Sequence, residues 1–347
     1  MTFLDRLSLS LPIIQAPMAG VSTPAMAAAV SEAGGLGSIA CGATDAAGAR
    51  AMIAEVRQRT SRPFNVNLFV HATPQAYPAR EAAWIDALTP LFSEYGVTPP
   101  DHLRTIYKSF NDDDDMLAAL IEAAPPVVSF HFGLPSPARI KALKAAGCYL
   151  LATATSPAEV EAIERAGIDA IVAQGYEAGG HRGVFDPHAP DDRLGTMALT
   201  RLLAVKSPLP VIAAGGIMDG RGIRAVLDLG AVAAQLGTAF IACPESSADA
   251  AYRTALMSPT SAHTTMTRAI SGRPARCLSN RFTAWGEATN LTPPDYPIAY
   301  DAGKALNAAA KAKGEGGYGA QWAGQGAPLA RALPAAELMA KLAEELG

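Results

Sequence analysis

Eight short apolar runs recur along the chain, and alanine-rich stretches follow most of them. This alternation narrows the fold more than any other feature. The runs cover residues 13–16, 37–40, 64–69, 127–130, 149–152, 170–173, 211–213 and 233–236. Helices are expected from about Pro24 and over 46–58, 136–146, 157–166, 196–206 and 219–229. Thr23 followed by Pro24 is a good start signal, since threonine caps a helix and proline suits its first position. Runs this short and apolar on both faces suit a parallel sheet covered by helices. Eight such units predict an α/β fold, a (β/α)8 TIM-like barrel rather than an open doubly wound sheet. No GxGxxG follows the first run, which argues against a Rossmann unit.

Two regions fall outside the repeat. Residues 71–122 are too long for a loop and read as a helical insertion. Residues 245–333 carry no convincing strand series and read as a second, mainly helical domain covering the substrate. Residues 334–347 read as a last amphipathic helix closing back on the barrel, which itself would comprise 1–70 and 123–244. The run Asn111-Asp112-Asp113-Asp114-Asp115 is expected to cap a helix beginning near Met116 rather than to hold a metal.

Half the residues are hydrophobic and 17% are charged, enough for a large core and against disorder. With 28 basic and 32 acidic residues the net charge is −4, which disfavours nucleic acid and a polybasic membrane tether. Leu7 to Ser31 carries no charge, but Pro12, Gln15, Pro17, Gly20 and Pro24 interrupt it, so neither a membrane span nor an export signal is expected. Cys41, Cys148, Cys243 and Cys277 form no CxxC. They fit a reduced cytoplasmic protein without a disulfide scaffold or zinc ribbon. No HExxH, EF-hand or Walker A pattern is present, and no metal site is expected.

In such barrels chemistry sits at the C-terminal ends of the strands. After the first run comes Gln15-Ala16-Pro17-Met18-Ala19-Gly20, an ordinary turn or a loop laying Met18 against a flat ring. Asn65 and Asn67 share one strand face, where their carboxamides suit either a heterocycle's edge or a structural hydrogen bond. His131 stands at a strand end, a position that favours function, although a lone histidine is more often structural. The densest cluster runs from Gln174 to Gly183, with Gly175, Gly179, Gly180 and Gly183 around Glu177 and His181. Its glycines permit close backbone approach and free N–H groups. Gly215-Gly216 and Gln235-Leu236-Gly237-Thr238 follow the last two runs, where barrels commonly cradle phosphate. A phosphorylated cofactor or substrate is expected. Spacing alone leaves its identity open, though carboxamides beside a phosphate cradle suit FMN.

Four segments resemble the nitronate monooxygenases, formerly 2-nitropropane dioxygenases, and specifically their bacterial class I. They are Pro12–Gly20, Val128-Ser129-Phe130-His131-Phe132-Gly133, Gln174–Gly183 and Ala214-Gly215-Gly216-Ile217. Gly317–Gln325 extends the likeness over essentially the whole chain. The resemblance implies noncovalent FMN and oxidation of alkyl nitronates by O2 to a carbonyl compound and nitrite. It implies one-electron transfer through a flavin semiquinone. The toxin propionate 3-nitronate is the implied substrate and detoxification the implied role, in a monomer or homodimer. It makes His181 the active-site residue. It places Ala16, Pro17, Met18, Asn67, Gln174, Gly179, Gly180, Gly215, Gly216, Gln235, Leu236, Gly237 and Thr238 at the cofactor. It places Tyr107, His131, Tyr252, Tyr300 and Lys304 at the substrate. A nitronate is already an anion, so a protonated His181 or Lys304 would hold its charge. Three other readings remain: an FMN-dependent NAD(P)H reductase of quinones or enoyl thioesters, a flavin-free aldolase or isomerase, and a non-catalytic flavin-binding protein.

Overall fold

The computed structural model describes residues 1–347. Eight strands form one parallel sheet: β1 (Ile13–Gln15), β2 (Gly37–Ala40), β3 (Phe64–Phe69), β4 (Val127–His131), β5 (Tyr149–Ala154), β6 (Ala170–Gln174), β8 (Val211–Ala214) and β9 (Ala233–Leu236), with β7 (Gly180–His181) lying outside it. Their order is β1-β9-β8-β6-β5-β4-β3-β2, and an Ile14–Leu36 bridge brings the two edges together. The Leu36 N–H donates to Ile13 O at 2.9 Å and the Gln15 N–H to Leu36 O at 3.0 Å. The sheet is therefore a nearly closed TIM barrel, as the eight apolar runs predict.

Its helices start where local chemistry allows. Thr23 accepts the Met26 N–H ahead of Pro24–Glu32, and Asp113 accepts the Met116 N–H ahead of Asp114–Ala123. The acidic run is thus a helix start. Asp114–Ala123 packs against Ala46–Arg59 and Pro137–Ala145 in the outer ring, so it serves the barrel even though it lies within the segment read as an insertion. The other helix of that segment, Pro78–Ser93, shares a core with residues 245–333 through Trp84, Leu88, Phe92, Phe282, Ile298 and Leu306. These parts together make one cap over the barrel mouth.

The cap departs from a mainly helical reading in one respect. It contains the antiparallel strands β10 (Thr264–Thr267) and β11 (Ala275–Leu278), and β11 also pairs with β7. The two strands are short, and the turn between them carries Arg268, Ser271, Gly272 and Arg273, so no long alternation marks them in the sequence. The final helix, Ala335–Leu346, packs against Pro24–Glu32 and Gly220–Asp228. Its Leu338, Met339 and Leu342 are buried with Ile13, Met26 and Val30. Met339→Ala should cost about 2–4 kcal/mol of stability, because the cavity it leaves is closed on all sides. Urea-unfolding midpoints of the two proteins would measure it.

Candidate active site

The C-terminal ends of the strands open into a cavity of about 600 Å³ roofed by the cap. That volume lies within the usual range for cofactor and small-molecule sites. Ala16, Pro17, Met18, Asn67, Gln174, Gly179, Gly180, Gly215, Gly216, Gln235, Gly237 and Thr238 line it from the barrel side. Tyr107, His131, His181, Tyr252, Tyr300 and Lys304 line it as well. Leu236 does not. Its side chain is in the barrel core and its carbonyl accepts the Ala16 N–H at 2.8 Å, because alternate residues of β9 face opposite sides.

Loop geometry makes one end of the cavity an anion cradle. The N–H groups of Gly216, Ile217, Gly237 and Thr238 donate to nothing within the protein. Gly216 has φ of +71°, a conformation side chains rarely adopt. A Cβ on Gly179 would meet the Gly324 N–H at 2.4 Å, so only glycine lets these two loops close together. Thr238 Oγ1 accepts the Gly324 N–H at 3.0 Å and ties a third loop to them. On the barrel side Asn67 donates to Ser129 Oγ at 2.9 Å and leaves Oδ1 free, a carboxamide oxygen facing the cavity.

His181 is placed by backbone pairing. It lies opposite Ala275, with Gly180 opposite Arg276, and the Arg182 N–H donates to Pro274 O at 2.8 Å. Gln174 Nε2 donates to His181 O at 2.9 Å, and Gln174 Oε1 accepts the Gly183 N–H at 2.7 Å. His131 Nε2 lies 3.1 Å from the same carbonyl while Nδ1 lies 3.0 Å from Thr153 Oγ1. His131 Nε2 and both ends of the Gln174 carboxamide therefore hold the His181 loop, while Thr153 fixes the other His131 nitrogen. Although both residues line the cavity, their side-chain polar atoms are committed to this loop and to Thr153. Tyr252 is similar, since its hydroxyl donates to Trp322 O.

The electrostatics correct one expectation. Burial, with the nearby His131 and Arg273, pushes His181 well below the ordinary histidine range, so His181 is neutral and holds no anion by charge. Burial likewise lowers His131 to about 4 and raises the Tyr252, Tyr296 and Tyr300 phenols, which remain protonated donors. The cation is Lys304. Its Nζ sits 4.9 Å from the Tyr107 ring centre and 5.4 Å from that of Tyr300, with no carboxylate partner. Asp301, the local partner its spacing suggests, pairs instead with Arg104 at 3.2 Å. Lys311, the other lysine lining the cavity, is paired with Asp249 at 2.8 Å.

Sequence reading missed several wall residues. Tyr296 is buried with an unpartnered hydroxyl, and its ring lies 5.3 Å from that of His181. Phe132 and Trp322 flank His181 at 5.6 and 5.0 Å. Ser271 Oγ lies 2.9 Å from His181 Nε2. Tyr296 precedes the helix that carries Tyr300 (Ile298–Lys311), so no helical spacing marked it. Ser271 carried no signal either.

Comparison with known proteins agrees with this arrangement. Residues 2–345 match the sequence profile of the nitronate monooxygenases. The chain belongs to the nitronate monooxygenase family. It is 62% identical to a nitronate monooxygenase of Paraburkholderia phytofirmans, over 99% of this chain and 94% of that one. It is 59% identical to a nitronate monooxygenase of Pseudomonas aeruginosa, over 99% and 98%. A solved structure of nitroalkane oxidase from Streptomyces ansochromogenes is similar with a TM-score of 0.90 and 43% identity, covering 99% of this chain and 98% of that one. The protein is thus an enzyme, an oxidoreductase of the nitronate monooxygenase type. No helix in it is long and apolar enough to cross a membrane.

The enzyme's histidines set its acid stability. His71 is buried without a well-formed hydrogen bond to either ring nitrogen, and burial together with the Arg273 charge lowers it to about 4. In the unfolded chain it titrates near 6.5. As pH falls from about 6.5 to about 4 the unfolded state takes up the proton first, so stability is lost through that window. His71→Phe keeps the ring packing and removes the titration. Its urea midpoint should match or exceed wild type at pH 7 and fall less between pH 7 and pH 5.

Proposed function

We propose that the cavity holds FMN noncovalently and that the enzyme oxidises alkyl nitronates with O2 to a carbonyl compound and nitrite. Its favoured substrate would carry a second negative group, as propionate 3-nitronate does. The observation that carries the proposal is the pairing of a free N–H cradle with Lys304, the one cation on the cavity wall that lacks a carboxylate partner. Gly216, Gly237 and Thr238 would hold the phosphate, and Asn67 Oδ1 would meet the ring edge. Met18 would lie against the ring. Four buried free thiols suit a reducing compartment such as the cytoplasm.

The flavin, when bound, supplies the electron acceptor and the reaction with O2. The chain's own residues do the rest. A nitronate arrives as an anion and needs no base. Lys304, exposed beside the Tyr107 and Tyr300 rings, balances its charge. Tyr300 presents a protonated hydroxyl to the same space and can donate to nitronate or carboxylate oxygens. Neutral His181, held by three contacts to its own loop, packs between Phe132, Trp322 and Tyr296 and orients the substrate without repelling Lys304. Phe132, Trp322 and the tyrosines exclude water from the reacting carbon.

Two experiments test this reading. Heat-released cofactor should be FMN, and Gly216→Asp should abolish its retention because a carboxylate would stand beside the phosphate. Asparagine at the same position separates charge from backbone strain, since both residues tolerate positive φ. FAD, or no flavin after reconstitution, would sink the cradle. Lys304→Met should lower kcat/KM for propionate 3-nitronate about 10–150-fold and that for an uncharged alkyl nitronate much less. Equal losses would refute the carboxylate contact.

A further inference from the structure

Arg273 is a buried cation without a direct ion-pair partner. Its Nη2 donates to Val184 O, its Nε has no partner, and no carboxylate is within ion-pair distance. Its guanidinium carbon stacks 4.3 Å from the centre of the Phe132 ring. Phe132 lines the cavity and meets His181 edge-on at 5.6 Å. Glu159 and Asp186 favour the Arg273 charge from beyond ion-pair distance, and their hydrogen bonds go to other groups. Glu159 accepts the Phe185 N–H at 2.8 Å and the Thr155 hydroxyl at 2.8 Å, and Asp186 accepts the His188 N–H at 2.8 Å. The next cation, Arg268, donates to Pro187 O. The remaining titratable neighbours, His71, His131, His181 and Tyr296, are all uncharged at neutral pH. Burial lowers Arg273 itself only to about 10, so it stays charged.

A buried charge with no direct ion pair is costly, and apolar replacements of buried ions are often neutral or stabilising. Packing on Phe132 and one bond to Val184 are contacts that a neutral side chain could largely supply. What a neutral side chain cannot supply is a field. We propose that Arg273 is a specificity residue acting through space: its unpaired guanidinium, one aromatic ring behind the cavity wall, biases the cavity toward anionic over neutral substrates. It does not touch the substrate, and it adds to Lys304 through a different ring, Phe132 rather than Tyr107 and Tyr300. The low-dielectric ring between them leaves the charge poorly screened. This rests on the nitronate reading of the cavity, which wild-type turnover of ethyl nitronate checks separately.

The experiment compares wild type, Arg273→Met and Arg273→Lys as holoenzymes. A unit charge on the order of 10 Å from the substrate, at an effective dielectric of about 20, corresponds to about a tenfold effect on binding. Arg273→Met should therefore raise KM for ethyl nitronate about tenfold with kcat changed less than about threefold. Affinity for neutral nitroethane, read as inhibition or turnover, should stay within about twofold. The melting temperature should hold or rise. Arg273→Lys, which keeps the charge and loses the planar fork, should bring KM back to within about threefold of wild type. A methionine variant that fails to fold, or that melts lower and loses kcat and nitroethane affinity together, would show a structural anchor and overturn the proposal. So would an unchanged KM for ethyl nitronate, or a lysine variant no better than methionine.

Discussion

Much of the active site depends on a backbone pairing of two residues. Gly180 and His181 leave the barrel after β6 and anneal to Arg276 and Ala275 of the cap. Without that pairing the glycine-rich loop would be a flexible surface segment and His181 a solvated histidine. With it, the loop is a strand whose ends are anchored: Arg182 is fully buried and forks onto Asp191, and Arg276 donates to Tyr176 O. Gln174 and His131 then converge on the His181 carbonyl from two barrel strands. The same contact joins barrel to cap, so the cavity is closed by the interaction that positions its histidine.

Closure sets the chemistry through desolvation. Once the cap excludes water, groups that could shed charge do so. His131 and His181 are neutral, and the tyrosines keep their protons. Lys304 on the wall and Arg273 behind it are among the cations that persist without a direct carboxylate partner. A cavity with neutral acids and bases and one unpaired lysine on its wall is suited to a substrate that is already an anion. It is poorly suited to creating one by proton abstraction with a charged base.

Much of the barrel was legible in the sequence. Eight apolar runs matched eight strands to within two residues at their ends, because strands covered on both faces must be apolar throughout. Caps such as Thr23 and Asp113 were legible because capping needs only a side chain and an N–H three residues on. The glycines of the cradle stood out because positive φ and close backbone approach restrict the residue type. β10 and β11 were hidden, being four residues each, with β11 also depending on the distant strand β7.

What the sequence determined by itself is therefore local or periodic: the strand series, the helix starts, the flexible loops at strand ends and the kinds of side chain available there. Tertiary structure decided which of those side chains act. It turned Gln174, His131 and Tyr252 toward holding the loop and roof, and brought Tyr296, Phe132 and Trp322 around His181. It directed Asp301 to Arg104 and so left Lys304 unpaired. Charge state and pairing depend on distance and burial, and residues separated by a hundred positions acquire both only when the chain closes on itself.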